Sequence, residues 1–110
     1  MLASLDKLAA LAPETLVFCA HEYTLSNMRF AAAVEPSCQD VIARLAEVAR
    51  QRDVLEATVP SAIGIELRTN PFLRSRQSAV SQSAAQRIGR APASAVETFA
   101  AIREWKNVFR

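Results

Sequence analysis

Apolar residues recur every three or four positions along most of this chain, which is the spacing of one face of an α-helix. Prolines and glycines interrupt the pattern and divide it into five predicted helices. These cover residues 2–12, 24–34, a stretch from Ser37 that stops before 55, residues 75–88, and a last helix that begins at Pro92 or Ser94. Residues 55–72 lack a period, and their prolines and glycine predict a long connecting segment.

One short run departs from the helical spacing. Residues 15–20 are mostly apolar and contiguous, which predicts a buried β-strand. A single strand can neither cover its faces nor pair its edges, so it is either rebuilt or part of a larger sheet. The chain's only histidine, His21, follows this strand. The predicted fold class is therefore mainly α, a helical C-terminal domain preceded by one strand.

The composition agrees with packed helices. Of 110 residues, 51% are hydrophobic and only two are glycine, and this length suits one domain without covalent staples. Cys19 and Cys38 have no C-x-x-C spacing, which predicts reduced and mostly buried thiols. Residues 1–11 include Asp6 and Lys7 and resemble neither a signal sequence nor a membrane span, so we expect a cytoplasmic protein.

The charge is small overall but unevenly distributed. Residues 1–66 carry five basic and nine acidic side chains, whereas residues 67–110 carry eight basic and two acidic ones. The second half therefore has a net charge of +6, which indicates either an anionic partner or a solvated helical surface rich in arginine. Nucleic acid is a poor candidate, because aromatic residues are few, the basic residues are scattered and no groove-reading motif occurs.

Four ordered motifs are more specific than these bulk properties. The run from His21 to Pro36 reads H-E-Y-T-x-x-N-x-x-F-A-x-x-V-E-P. It is followed by T-V-P-S at 58–61, Glu66, N-P-F-L-R at 70–74 and R-x-x-K at 103–106. Together they resemble glyoxalase II, the hydroxyacylglutathione hydrolase family, over nearly the whole chain. Ala20 departs from the family, which usually has glycine there, and its Cβ could shift the neighbouring backbone.

The resemblance implies two parts. Residues 1–23 would be the end of a metallo-β-lactamase-type αββα domain, and residues 24–110 a helical domain that binds the glutathione thioester. The family hydrolyses S-D-lactoylglutathione with two metal ions, zinc or alternatively iron or manganese. The H-x-H-x-D-H metal cluster of that domain does not occur in this sequence.

His21 is the residue on which the metal prediction depends. A lone histidine is more often a hydrogen-bonded structural residue than a metal ligand, and a site needs three or four ligands. The resemblance implies that His21 is the last metal ligand of one of the two sites. It implies no catalytic residue within this chain, which we expect to be inactive without the domain that carries the other ligands.

The resemblance also implies three substrate-binding residues. Tyr23 would hydrogen-bond the glutathione backbone, although by itself it also suits a half-buried helix start. Arg103 and Lys106 lie three residues apart, which places both on one face of a helix and suits a terminal carboxylate, in this family that of the glycine of glutathione. The alternative for this pair is a solvated basic helix end.

One alternative function stays open from the sequence, a free-standing helical module that binds glutathione or another anion. Binding by the chain alone would distinguish it from an incomplete enzyme. The expected partners are a glutathione thioester and the metal-binding domain, with neither nucleic acid nor membrane. An exposed strand and an uncovered face could also make the chain self-associate.

Overall fold

Helices make up most of the structure, a computed structural model that describes residues 1–109. The elements, in chain order, are α1 (Leu2–Ala9), β1 (Leu16–Val17), α2 (Thr24–Val34), α3 (Gln39–Asp53), β2 (Ser61–Ala62), α4 (Ile63–Thr69), α5 (Ser78–Ile88) and α6 (Ala95–Val108). The two strands pair antiparallel, with Leu16 opposite Ala62 and Val17 opposite Ser61. The predicted mainly α fold class is confirmed.

The principal core lies where α2, α5 and α6 meet. Phe30 and Val34 of α2 are almost fully buried against Val80 of α5 and Ile102 of α6. Three partly buried aromatic residues, Phe72, Trp105 and Phe109, close the core around Phe30. Their rings lie 6.0, 5.4 and 5.3 Å from that of Phe30, distances at which aromatic pairs attract.

A second cluster joins α2 to α3. Met28 and Ala31 on one face of α2 pack against Val41 and Val48 on α3, and all four are buried. Because the residues of α2 that form the two clusters lie on different sides of that helix, α2 is buried on both sides and is the central element of the fold.

The helix ends agree only in part with the start and end positions predicted from the sequence. Ser94 is the N-cap of α6 and its hydroxyl accepts a hydrogen bond from the Glu97 amide, as one of the two alternatives predicted. Gly89 ends α5 in the left-handed region, with φ of 78°, where glycine costs least. Helix α3 does not begin at Ser37. It begins at Gln39 with Cys38 as its N-cap, because the chain is still in a turn at Pro36 and Ser37.

The predictions for residues 63–69, for the strand and for Cys19 are wrong. Residues 63–69, predicted as part of a connecting segment, form helix α4. The predicted strand over residues 15–20 is reduced to two residues and is not buried, since Leu16 is 58% and Phe18 is 73% exposed. Cys19 is exposed rather than buried, and Cys38 is half-buried, and both are free thiols.

Residues 1–23 are attached to the rest of the fold by a few polar links and by Leu2 of α1, which is buried. The carboxylate of Asp6 accepts two hydrogen bonds from Arg76, at 2.8 and 3.0 Å. The Gly64 amide donates to the Pro13 carbonyl at 2.8 Å, beside the β1–β2 pair. Along residues 1–109, the structure contains no helix with the length and apolar character needed to cross a membrane.

Candidate functional site

A cleft of about 130 Å³ opens between β1, the start of α2 and the segment that follows α4. Its walls come from all the sequence motifs that carried the family resemblance. The lining residues are Val17, Cys19, Thr24, Asn27, Met28, Phe30, Ala31, Arg44, Val59, Ser61, Glu66, Thr69, Asn70, Pro71, Phe72 and Lys106. Segments far apart in the sequence therefore converge on one concave surface, which is where a ligand site is expected.

Lys106 is the predicted site residue that lines this cleft. It lies on α6 and is half-buried, with its Nζ 5.9 Å from the centre of the Phe30 ring. An ammonium over an aromatic face is stabilised by the ring quadrupole while its remaining donors stay free for a ligand. The arrangement presents one positive charge at the edge of an aromatic cleft, which suits an anionic group.

Arg103 lies one turn before Lys106 on α6 but does not line the cleft. Its side chain is exposed, and its guanidinium donates to Asn107 Oδ1 at 3.0 Å on the same helix. This single contact leaves most of the five donors of the guanidinium available to a ligand. The structure thus gives the two predicted carboxylate-binding residues different surroundings.

His21 and Tyr23 lie together beside the cleft. Their rings stack with centroids 5.1 Å apart and an interplanar angle of 24°. Both residues are exposed, and Tyr23 is 61% exposed. Within residues 1–109, no three His, Cys, Asp or Glu side chains come close enough to hold a metal ion, so the donor set of this chain does not fit a complete metal site.

Glu22, between these two residues, is directed to a different partner. Its carboxylate accepts hydrogen bonds from the backbone amide and from Oγ1 of Thr58, the latter at 2.5 Å. These bonds favour the charged form and lower the pKa of the Glu22 carboxyl from its ordinary value. The sequence motifs H-E-Y-T and T-V-P-S are therefore in direct contact, a pairing that their separation in the sequence does not reveal.

A polar network supports one wall of the cleft. The Arg44 guanidinium pairs with Glu66, donates to Thr69 Oγ1 at 2.7 Å and reaches Ser61 Oγ at 3.3 Å. Arg44 follows Asp40 by four residues, a spacing that predicts a pair along one helix. The structure instead joins Arg44 of α3 to Glu66 of α4, a contact for which the sequence carries no signal.

Another ion pair joins two of the family motifs. The nearly buried carboxylate of Glu35, from V-E-P, accepts hydrogen bonds from Arg74 Nε at 2.6 Å and from another nitrogen of the same guanidinium at 3.0 Å. The hydrogen bonds to Glu35 raise the pKa of Arg74 above its ordinary value, which keeps the guanidinium charged. Next to it, Asn70 Oδ1 accepts a hydrogen bond from the Phe72 amide at 2.9 Å.

A helical fold with an aromatic cleft, a cation at its edge and polar side chains around it is the kind of arrangement found in helical domains that bind small ligands. Residues 22–109 match the family model described as "Hydroxyacylglutathione hydrolase C-terminus". The chain therefore belongs to this family and corresponds to its C-terminal part.

Curated relatives agree with this assignment. A hydroxyacylglutathione hydrolase of Pseudomonas savastanoi pv. phaseolicola is 50% identical over 106 residues, which are 96% of this chain and 41% of that protein. The enzyme of the same name from Nitrosomonas eutropha is 50% identical over 110 residues, all of this chain and 43% of the relative. The chain thus spans less than half the length of the curated relatives that it matches.

Proposed function

We propose that this chain supplies the substrate-binding part of a hydroxyacylglutathione hydrolase, which hydrolyses S-D-lactoylglutathione to glutathione and D-lactate. The observation that supports this most strongly is the convergence of four separated motifs, including Lys106, on one cleft. Family membership over residues 22–109 gives the reaction class.

The size of the cleft supports a site shared with the rest of the enzyme. Its volume of about 130 Å³ is well below the roughly 300 Å³ at which pockets for drug-sized ligands begin. A glutathione thioester would therefore enter it only in part. We assign the carboxylate end of the ligand to Lys106 and Arg103, and a backbone contact of the ligand to the exposed Tyr23 hydroxyl.

The metal chemistry is assigned mainly to the part of the enzyme outside this chain. His21 would provide one ligand of a two-metal site that holds zinc, or alternatively iron or manganese. When bound, such a metal pair activates a water and stabilises the oxyanion that forms during thioester hydrolysis. Apart from His21, which would hold a metal, the residues of this chain assigned to the site orient the substrate.

The division into two parts goes with this assignment. We propose that residues 1–23 belong to the metal-binding domain and residues 24–110 to the helical domain. The exposed Leu8, Leu11, Leu16 and Phe18 support this, because a face of this kind is normally covered. The chain by itself is predicted to self-associate through that face, which sedimentation would detect, and a cytoplasmic location stays a prediction.

The test is a chimera in which this chain replaces the matching C-terminal 43% of the Nitrosomonas eutropha relative. We expect thioester hydrolysis by the chimera and none by the isolated chain. Lys106→Ala and Arg103→Ala should each raise KM roughly tenfold with little change in kcat, because they remove binding that is equal in ground and transition states. His21→Ala should abolish kcat.

Lys7→Ala is the matched control, because Lys7 is an exposed lysine of α1 that does not line the cleft. An inactive chimera with a folded chain, or a Lys106→Ala variant with unchanged KM, would contradict the proposal.

The free-standing binding module is the second candidate. The presence of Lys106 in a cleft formed by this chain alone favours it. Calorimetric titration of the isolated chain with glutathione distinguishes the two functions. Binding tighter than about 100 μM would exceed what a partial site supplies and would favour the module, whereas no binding would favour the incomplete enzyme.

A further inference from the structure

The segment that leads to His21 is tied to its neighbour at two points. The first is the β1–β2 ladder, in which Val17 lies opposite Ser61. The second is the Glu22 carboxylate, which accepts two hydrogen bonds from Thr58. Between these ties one arm has four residues, 18–21, and the other has two, 59–60.

The unequal arms determine the shape of this loop. In an antiparallel pair the two strands advance residue by residue, so the two extra residues of the longer arm have to bow away from the shorter one. The bowed arm carries Cys19, which lines the cleft, and His21, which is exposed beside it. The Glu22–Thr58 contact closes the open end of this bow directly after His21.

Tyr23 is fixed from both directions. On its C-terminal side it is the N-cap of α2, and its carbonyl accepts a hydrogen bond from the Asn27 amide at 2.9 Å. On its N-terminal side, Glu22 is held by Thr58. Since the ring of Tyr23 stacks on that of His21, the Glu22–Thr58 contact anchors the backbone that connects the two stacked rings.

We propose that Glu22, held by Thr58, is a positioning residue that fixes the orientation of His21 and Tyr23 beside the cleft. The inference rests on the proposed function, which assigns a ligand role to each of these two residues. Both carboxylate oxygens of Glu22 already accept hydrogen bonds from Thr58. Glu22 would therefore affect a ligand indirectly, through the positions of His21 and Tyr23. The Glu22–Thr58 contact is exposed and lies outside both core clusters. Its loss should therefore change the local conformation without lowering the stability of the whole fold.

The relative orientation of the His21 and Tyr23 rings can be measured without an enzyme assay. His21 is the only histidine and Tyr23 the only tyrosine, so the NMR signals of both rings are assigned by residue type alone. The parent chain should show a nuclear Overhauser effect between the two rings, whose centroids are 5.1 Å apart. Thr58→Val removes the hydroxyl at constant size, and Glu22→Gln removes the charge at constant shape.

Both variants should weaken the ring-to-ring effect by about threefold, a change at the low end of the net contribution of an ordinary protein hydrogen bond, as expected for an exposed contact. The thermal midpoint and the Trp105 indole signal should stay at their parent values. Glu56→Gln is the matched control, an exposed acid in the same loop, and should leave the effect unchanged. Thr58→Ser, which keeps the hydroxyl, should restore it.

An unchanged ring-to-ring effect in Thr58→Val and Glu22→Gln would overturn the proposal. Global unfolding of both variants would also overturn it, because the contact would then be a structural support of the whole fold. The outcome is independent of the proposed function: an inactive chimera would contradict the hydrolase assignment while the NMR result still decides whether Glu22 positions the two rings.

Discussion

The N-terminal segment 1–23 and the helical part 24–109 use similar apolar residues to different effect. Phe30 in the helical part is 1% exposed and in contact with three aromatic rings, whereas Phe18 in the N-terminal segment is 73% exposed. The helical part encloses its own core, whereas Leu2 is the one buried residue of the N-terminal segment, which is otherwise attached at the edge by hydrogen bonds. The segment that carries His21 is therefore ordered by polar contacts, while the cleft beside it is formed on a packed core.

The largest effect should separate the two phenylalanines. Phe30→Ala removes a fully buried ring from the principal core and should lower the free energy of unfolding by about 3–5 kcal/mol. Phe18→Ala should change it by no more than about 0.5 kcal/mol, because the ring is already in water. Urea titration followed by circular dichroism measures both. Equal losses would mean that the N-terminal segment is part of the same core.

The two bidentate arginine–carboxylate pairs should differ in the same sense. Glu35→Gln leaves Arg74 without its charged partner at a nearly buried site and should cost about 3 kcal/mol of unfolding free energy. Asp6→Asn breaks the exposed pair with Arg76, which links α1 to the helical part, and the urea midpoint should stay within error. A midpoint that shifts equally in both variants would contradict the difference between the two regions.

Gly64→Ala should loosen the N-terminal segment selectively. A Cβ on Gly64 would lie 3.2 Å from Pro13 Cβ and 3.3 Å from the Pro13 carbonyl oxygen, so Pro13 has to move. Alanine is about 1 kcal/mol better than glycine within a helix, which offsets this cost in the global stability. Chymotrypsin should then cleave after the exposed Phe18 several-fold faster, at an unchanged urea midpoint. Cleavage at the parent rate would show that this close approach does not hold the segment.

The smallest effect is the pH dependence at the start of α6. Glu97 accepts hydrogen bonds from Arg90 and from the Ala93 amide, and these lower the pKa of its carboxyl below the ordinary value of 4.5. A lowered pKa stabilises the fold above the unfolded-state value, and this contribution is lost as pH falls through the folded-state value. The stability difference between the parent chain and Glu97→Gln should therefore be full at pH 7 and shrink below pH 4.5. A difference that persists at lower pH would contradict this.

The sequence predicted α2, α5 and α6 well because their apolar residues repeat regularly, and because Pro36 follows α2 and Gly89 follows α5. It missed α4, since seven residues with a glycine and β-branched side chains give little helical signal. That helix depends on contacts with distant residues, such as Arg44 with Glu66, which no local pattern reveals. The prediction that the strand is buried was wrong for the same reason. An apolar run in the sequence does not show which part of the molecule covers it.

The candidate site was predictable only as a set of motifs. The family motifs pointed to His21, Tyr23, Arg103 and Lys106, but not to which of them lines the cleft. Lys106 does, whereas Arg103 lies on the exposed surface of α6. The Glu22–Thr58 contact spans 36 residues of sequence, a separation over which single-sequence patterns carry no pairing information.

Native-state hydrogen exchange of the whole chain tests the difference between the two regions most directly. We predict that amides of α2, α5 and α6 exchange only through global unfolding, whereas amides of residues 16–23 open at a free energy lower by at least about 2 kcal/mol. Uniform protection across residues 1–109 would contradict the account, because the N-terminal segment would then belong to the same cooperative unit as the helical core.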